Sequence, residues 1–140
     1  MTDNKSIKSL ITPFSEQLFN LNDKNILLTG GTGSFGQAFT RFVLDNYKPK
    51  RLIIFSRDEL KQYEMQILPT FKNKNCLRFF IGDIRDKERL DLAMRDVDIV
   101  IHAAALKRIE VAEYNPFECI KTNVLGSQNI VDCAIKNKVK

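Results

Sequence analysis

Apolar residues in this chain fall into two kinds of pattern. Four short runs are apolar at almost every position: Asn25-Ile26-Leu27-Leu28, Leu52-Ile53-Ile54-Phe55, Leu77-Arg78-Phe79-Phe80-Ile81 and Val97-Asp98-Ile99-Val100-Ile101. Runs this short, bounded by turn residues, predict strands covered on both faces, as in a parallel sheet. Between them apolar residues recur every three or four positions, which predicts helices. Phe35, Ala38, Phe39, Phe42 and Val43 mark the sheet-facing side of a helix from Ser34 to Asn46. A second helix is predicted from Asp58 to Leu68, ahead of Pro69, and a third through Leu90 and Met94. A fourth starts at Asn115 and presents Phe117, Ile120, Val124, Val131 and Ala134 on one face. Alternating strands and helices define an α/β chain with a doubly wound parallel sheet over residues 25–140. Residues 1–24 form an N-terminal extension in which Ile7, Leu10, Ile11, Phe14, Leu18 and Phe19 predict a short amphipathic helix, packed on the domain or on another subunit. A fifth strand is due where the chain stops at Lys140, so the expectation is the N-terminal part of a longer protein.

The first strand runs into Thr29-Gly30-Gly31-Thr32-Gly33-Ser34-Phe35-Gly36. Glycines at 30, 33 and 36 let a strand-to-helix turn come close to an anion and let the helix pack closely on the sheet. The helix offers unpaired N–H groups and its positive dipole end to a diphosphate. The expectation is therefore a Rossmann-like dinucleotide-binding crossover. No Lys-Ser/Thr follows the glycines, which argues against a nucleoside-triphosphate loop.

The tip of the second strand reads the adenosine ribose in such folds: an acid there accepts the 2′-hydroxyl of NAD, and Arg accommodates the 2′-phosphate of NADP. Here the strand ends in Ser56-Arg57-Asp58-Glu59. Ser56 and Glu59 have capping-box spacing. That leaves Arg57 and Lys61 unexplained, because cations are disfavoured at a helix N-terminus unless an anion is near. The pattern favours NADP. Asp83, at the end of the third strand, either caps the following helix or holds the adenine edge together with the Ile84 backbone. His102-Ala103-Ala104-Ala105 carries the fourth strand into the ligand crevice, where small side chains leave room for a flat group. Lys107 follows, within reach of ribose hydroxyls or phosphate. His102, the one histidine of the chain, reads as hydrogen-bonded structure. Asn115-Pro116-Phe117-Glu118 is a second capping pattern. Thr122 and Asn123 interrupt the apolar face after it, so they either tie back to backbone or touch ligand.

Composition narrows the picture. The 140 residues carry a net charge of +5, but acids and bases are interspersed, which speaks against a nucleic-acid stripe. No run is long enough for a membrane span and no signal-peptide core is visible. Cys76, Cys119 and Cys133 are spread out with no pairing motif, so reduced thiols, no metal and a cytoplasmic location are expected.

These residues together resemble the extended short-chain dehydrogenase/reductase superfamily, and more narrowly its inverting UDP-N-acetylglucosamine 4,6-dehydratases of pseudaminic acid and surface-polysaccharide biosynthesis. The matching segments are the glycine turn, Ser56-Arg57-Asp58-Glu59-Leu60-Lys61, Phe80-Ile81-Gly82-Asp83, Arg85-Asp86-Lys87-Glu88-Arg89, His102-Ala103-Ala104-Ala105-Leu106-Lys107, Ala112-Glu113-Tyr114-Asn115-Pro116 and Lys121-Thr122-Asn123. The resemblance implies NADP contacts at Thr32, Gly33, Ser34, Phe35, Ser56, Arg57, Asp58, Glu59, Leu60, Lys61, Asp83, Ile84, Ala103, Lys107 and Thr122, with Lys107 also near the nucleotide sugar. It further implies a homo-oligomer and a hidden redox cycle. NADP+ takes hydride from sugar C4, water leaves across C5 and C6, and hydride returns to C6 with inversion at C5. Arg108-Ile109-Glu110 replaces the family's His-Val-Pro. The family's Asp-Lys pair and Tyr-x-x-x-Lys motif fall beyond Lys140, so no catalytic residue is assigned and this stretch alone is expected to be inactive. Alternatives are another sugar-nucleotide epimerase or dehydratase of the superfamily, or a non-catalytic dinucleotide-binding module.

Overall fold

The computed structural model describes residues 20–140, so the helix expected around residues 7–19 lies outside the described residues. Four parallel strands, β1 (Asn25–Thr29), β2 (Arg51–Ser56), β3 (Leu77–Ile81) and β4 (Ile99–His102), form one sheet in the order β3-β2-β1-β4. The register pairs Leu27 with Ile53 on one side and with Val100 on the other. Connections run through α1 (Ser34–Asn46), α2 (Glu59–Ile67) and α3 (Lys87–Ala93). After β4 come α4 (Ile109–Tyr114), α5 (Pro116–Cys119), a π-helical segment (Ile120–Gly126) and α6 (Ser127–Lys136). This is the doubly wound α/β layout the sequence predicts.

Because strand side chains alternate between faces, the apolar runs feed two cores. Leu27, Ile53 and Phe55 pack with Leu90, Met94 and Ile130 on the face covered by α3 and α6. Ile26, Leu28, Leu52 and Ile54 pack with Val43, Met65 and Phe71 on the face covered by α1 and α2, and Leu21 joins this second core. Each such fully buried side chain contributes about 1.5–3 kcal/mol relative to exposure.

Two helix faces differ from expectation. In α1 the sheet-facing residues are Gly36, Thr40 and Val43, whereas Phe35 and Phe42 are exposed. On the last helical stretch Thr122, Gly126, Ile130 and Cys133 are buried, while Phe117 is 74% exposed and Ile120, Val124 and Val131 also face outward. The reason in both cases is close approach. A Cβ on Gly36 would stand 2.4 Å from the Gly31 carbonyl, and one on Gly126 would stand 2.7 Å from Ile84 Cδ1. Small residues let the helix axis near the sheet, so the large apolar residues lie on the other side.

The caps also move. Asp58, not Ser56, caps α2, accepting from the Lys61 N–H at 3.0 Å. Ser56 ends β2, and its Oγ accepts from Gln62 Nε2. Asp86 caps α3, which removes the capping role from Asp83. Asn115 precedes Pro116 at the α5 start as predicted, but its amide donates back to the Val111 carbonyl rather than capping. Glu118 turns to Arg85 and Lys121 instead of closing a box. Helix α4 was not foreseen, as its six residues bury nothing.

Candidate functional site

A cavity of about 340 Å³ opens at the carboxyl ends of the strands, over the point where β1 is flanked by β2 and β4. In an open α/β sheet this reversal of strand order leaves a crevice between diverging connections, the position where such sheets bind ligands. Its size suits a small molecule or cofactor.

The floor is the turn after β1. Gly30 adopts φ +67°, a left-handed conformation that favours glycine, and its N–H donates to the Phe55 carbonyl at 3.0 Å. A Cβ there would meet the Ala103 carbonyl oxygen at 2.7 Å, so the turn presses against the tip of β4. Gly33 then leads into α1, whose N-terminus opens beside the cavity.

One end of the cavity is formed by the tips of β2 and β3. Ser56, Arg57, Asp58 and Lys61 line it from β2, and Gly82, Asp83 and Ile84 from β3. Arg57 is half exposed, and among the described residues no hydrogen bond occupies its guanidinium. Its Nη1 lies 3.9 Å from Asp83 Oδ2. Lys61 Nζ lies 3.7 Å from Asp58. Burial by itself would raise the Asp83 carboxyl, but hydrogen bonds from Arg85 outweigh it and hold the group below the usual carboxylate range.

The other end is a strap of irregular chain, residues 103–107, every one of which lines the cavity. It is anchored twice. Thr29 Oγ1 accepts from the Ala103 and Ala104 N–H groups at 3.1 and 3.3 Å. Its own hydroxyl proton therefore goes to His102 Nδ1 at 2.7 Å. That leaves the imidazole proton on Nε2, facing Ser127 Oγ at 3.1 Å, and Ser127 in turn donates to the Asn123 carbonyl. The chain is complete with a neutral ring, and burial pushes the His102 pKa down, in the same direction. The second anchor is the Asn123 side chain, whose Oδ1 accepts from Leu106 N–H and whose Nδ2 donates to the Leu106 carbonyl, each at 2.8 Å.

Asn123 thus ties to backbone, the first of the two options its position allowed. Thr122 does not. It is 5% exposed and lines the cavity, and its Oγ1 is buried without a hydrogen-bond partner among the described residues. An unpaired buried hydroxyl costs about 1–3 kcal/mol. The π turn produces this arrangement, since Thr122 and Asn123 lie in consecutive positions of a widened helix and face the cavity and the strap respectively. Replacing Thr122 with valine is expected to raise the unfolding free energy by about 1 kcal/mol while weakening any ligand that hydrogen-bonds there. Parallel denaturation and nucleotide titrations check both signs.

The structure brings most of the expected site residues to this cavity: Gly30, Thr32, Gly33, Ser56, Arg57, Asp58, Lys61, Asp83, Ile84, Ala103, Lys107 and Thr122. Others do not line it. Ser34 lines an adjoining groove with Gln37 and Arg41. Phe35 is exposed on α1, Gly36 is buried against Gly31, and Glu59 and Leu60 are exposed in the first turn of α2. Not anticipated were Leu106, Phe55 and Gly82, where a Cβ on Gly82 would strike the Phe55 ring at 2.5 Å. The glycine after a strand was the available sign. All three cysteines are free thiols. Among the described residues no helix is long and apolar enough to cross a membrane.

Comparison with known proteins agrees with this geometry. Residues 26–140 match the family described as polysaccharide biosynthesis protein. The chain is 64% identical over 119 residues to a UDP-N-acetylglucosamine 4,6-dehydratase (inverting) of Campylobacter jejuni, a match covering 85% of this chain and 35% of that protein. It is 49% identical over 120 residues to a UDP-glucose 4-epimerase of Rickettsia prowazekii, covering 84% of this chain and 34% of the other. The chain spans about a third of the length of the curated relatives it matches. Among solved structures, Pen from Bacillus thuringiensis superposes with a TM-score of 0.81 at 44% identity, covering 88% of this chain and 37% of that one. DesIV, a dTDP-glucose 4,6-dehydratase from Streptomyces venezuelae solved with NAD and TYD bound, gives 0.71 at 27% identity, covering 82% and 37%. With the family match running from β1 to the last residue, the chain belongs to the polysaccharide biosynthesis protein family.

Proposed function

We propose that the cavity binds NADP and that the chain is the cofactor-binding portion of an inverting UDP-N-acetylglucosamine 4,6-dehydratase acting in surface-sugar biosynthesis. The observation that carries the cofactor choice is the unoccupied Arg57 guanidinium at the tip of β2, with Lys61 one turn along α2. Two cations there suit a phosphate on the ribose, where a 2′-hydroxyl alone would call for an acid. The orphaned Thr122 hydroxyl and the glycine floor supply a fit for the rest of the dinucleotide.

In this reading the Gly30 to Gly33 turn and the first N–H groups of α1, at Ser34 and Phe35, hold the diphosphate. Ser56, Arg57 and Lys61 bind the 2′-phosphate, and Asp83 and Ile84 border the adenine. By the strand order, the nicotinamide half lies across β1, along the strap. There Ala103 leaves space for the ring, Thr122 donates or accepts a hydrogen bond, and Lys107 reaches the ribose and the sugar nucleotide. The bound nicotinamide supplies a hydride acceptor and donor for the sugar. This chain's residues orient it and exclude water from one side. The 64% identity to the Campylobacter jejuni dehydratase supports the substrate class. The epimerase of Rickettsia prowazekii, at 49%, supports a second reading in which the same cofactor portion serves an epimerase.

Arg57→Ala is expected to weaken NADP about tenfold and NAD less than twofold, the loss of one charged contact to phosphate. Calorimetric titration of the two nucleotides decides it: equal losses for both would remove the NADP assignment, and wild-type chain that binds neither would remove the dinucleotide reading.

A further inference from the structure

Arg57 and Asp83 face each other across the adenosine end of the cavity as a loose ion pair, with Arg57 Nη1 3.9 Å from Asp83 Oδ2. They do not close to hydrogen-bond contact. Both carboxylate oxygens are already taken by Arg85. Its backbone N–H donates to Asp83 Oδ1 at 3.0 Å, and its Nε and Nη2 donate to Oδ2 at 3.0 and 2.7 Å. Arg57 is left at 3.9 Å, beyond hydrogen-bond distance. Arg85 itself does not line the cavity. Its remaining nitrogen, Nη1, is fixed by Glu118 Oε2 at 2.7 Å, and Glu118 is shared with Lys121. The guanidinium therefore bridges Asp83 and Glu118, the latter on α5.

Resting on the NADP reading above, we propose that Arg85 is a positioning residue that sets the preference for NADP over NAD, by occupying Asp83 and so leaving Arg57 free for the 2′-phosphate. Two effects act in the same direction. An uncompensated Asp83 carboxylate would draw the Arg57 guanidinium to itself, and its charge would repel a phosphate bound nearby. A carboxylate chelated by Arg85 does neither, because the pair is close to neutral as seen from the cavity. The adenine that Asp83 borders is common to both nucleotides and NAD carries no phosphate at the ribose, so the state of Asp83 moves the ratio through NADP.

The test is titration of NADP and NAD into the full chain as wild type, Arg85→Met, and Arg85→Met combined with Asp83→Asn. Arg85→Met is expected to lower the NADP-to-NAD affinity ratio about tenfold, nearly all of it through NADP. Adding Asp83→Asn, which removes the unpaired charge, is expected to return the ratio to within about threefold of wild type. Glu118→Gln, which cuts the second tether of Arg85 and spares the first, leaves the ratio unchanged. Should Arg85→Met fail to fold, Arg85→Gln serves the same comparison with a hydrogen-bonding head and no charge. An unchanged ratio in the single variant overturns the proposal, as do equal losses for both nucleotides, the signature of a merely structural role, and a double variant that is not restored. A wild-type chain with no preference for NADP overturns the functional reading along with it. A wild type that prefers NADP and an Arg85 variant that keeps the preference overturn this inference alone.

Discussion

Gly36→Ala is expected to be the most destabilising single substitution in the glycine turn, costing about 3 kcal/mol or enough to prevent folding. The added Cβ would sit 2.4 Å from both the carbonyl carbon and the oxygen of Gly31, and 2.5 Å from its Cα. All three are backbone atoms of the turn itself, so no side-chain rotation relieves the clash. Either α1 lifts from the sheet or the turn after β1 is rebuilt. Lifting α1 uncovers Val43 and leaves Thr40, whose hydroxyl donates to the Gly36 carbonyl at 2.7 Å, without its place in the packing. Chemical denaturation monitored by circular dichroism measures the loss, and a midpoint within error of wild type would show that the turn yields more easily than its geometry implies.

Gly30→Ala is expected to spare more of the fold and remove the binding. The left-handed backbone at φ +67° costs about 1–2 kcal/mol once a Cβ is present. The Cβ also meets the Ala103 carbonyl carbon at 2.8 Å and the Ala104 nitrogen at 2.9 Å. Relief comes by pushing the strap of residues 103–107 away from β1, which stretches the bonds from Ala103 and Ala104 to Thr29 Oγ1. Because that strap and the turn are the two walls around the proposed diphosphate and nicotinamide, NADP affinity is expected to fall by about a hundredfold or more, roughly 2.7 kcal/mol. Titration against a folded variant checks this. Retained affinity would mean that the turn and the β4 tip move together without closing the cavity.

How legible the molecule is from its sequence depends on which atoms carry the information. Strands β1 and β2 are plain in the apolar runs, because their inner positions are buried on both faces, whereas β3 at the sheet edge shows the same run with Arg78 exposed, and parallel order follows from the helices between them. The glycine turn is plain because backbone geometry there restricts the residue type. The helix faces are not. The rule that the apolar stripe meets the core fails for Phe35, Phe42, Phe117 and Val124, since the small residues Gly36, Thr40, Thr122 and Gly126 are the ones buried on the inner side, with Gly36 close against Gly31 and Gly126 against Ile84. Capping patterns mislead for a related reason. Ser56 and Glu59 have the spacing of a box, but Ser56 is committed to β2 and to Gln62, so the next acid, Asp58, takes the cap. Arg85 shows the limit most clearly. It is legible only as part of a matching motif, and although its contact to Asp83 is local, the contact to Glu118 arises only when α5 packs against the segment after β3. The π turn carries no sequence signal except its result, two adjacent polar residues with separate tasks.

The sheet contains no hairpin, and each of its pairings joins segments separated by an entire crossover, Asn25 with Arg51, Leu52 with Leu77, and Ile26 with Ile99. Local contacts therefore cannot nucleate it, and a topology of this kind closes its loops before the pairings reward it. The residues around Gly30 draw on β1, on the Phe55 carbonyl of β2 and on the Ala103 backbone after β4, three stretches that meet only when β1 is paired on both sides. Competence to hold the proposed nucleotide thus requires both pairings of the central strand. A nucleotide held there acts on the equilibrium of the entire sheet, as a clasp across its central strand, rather than on one loop.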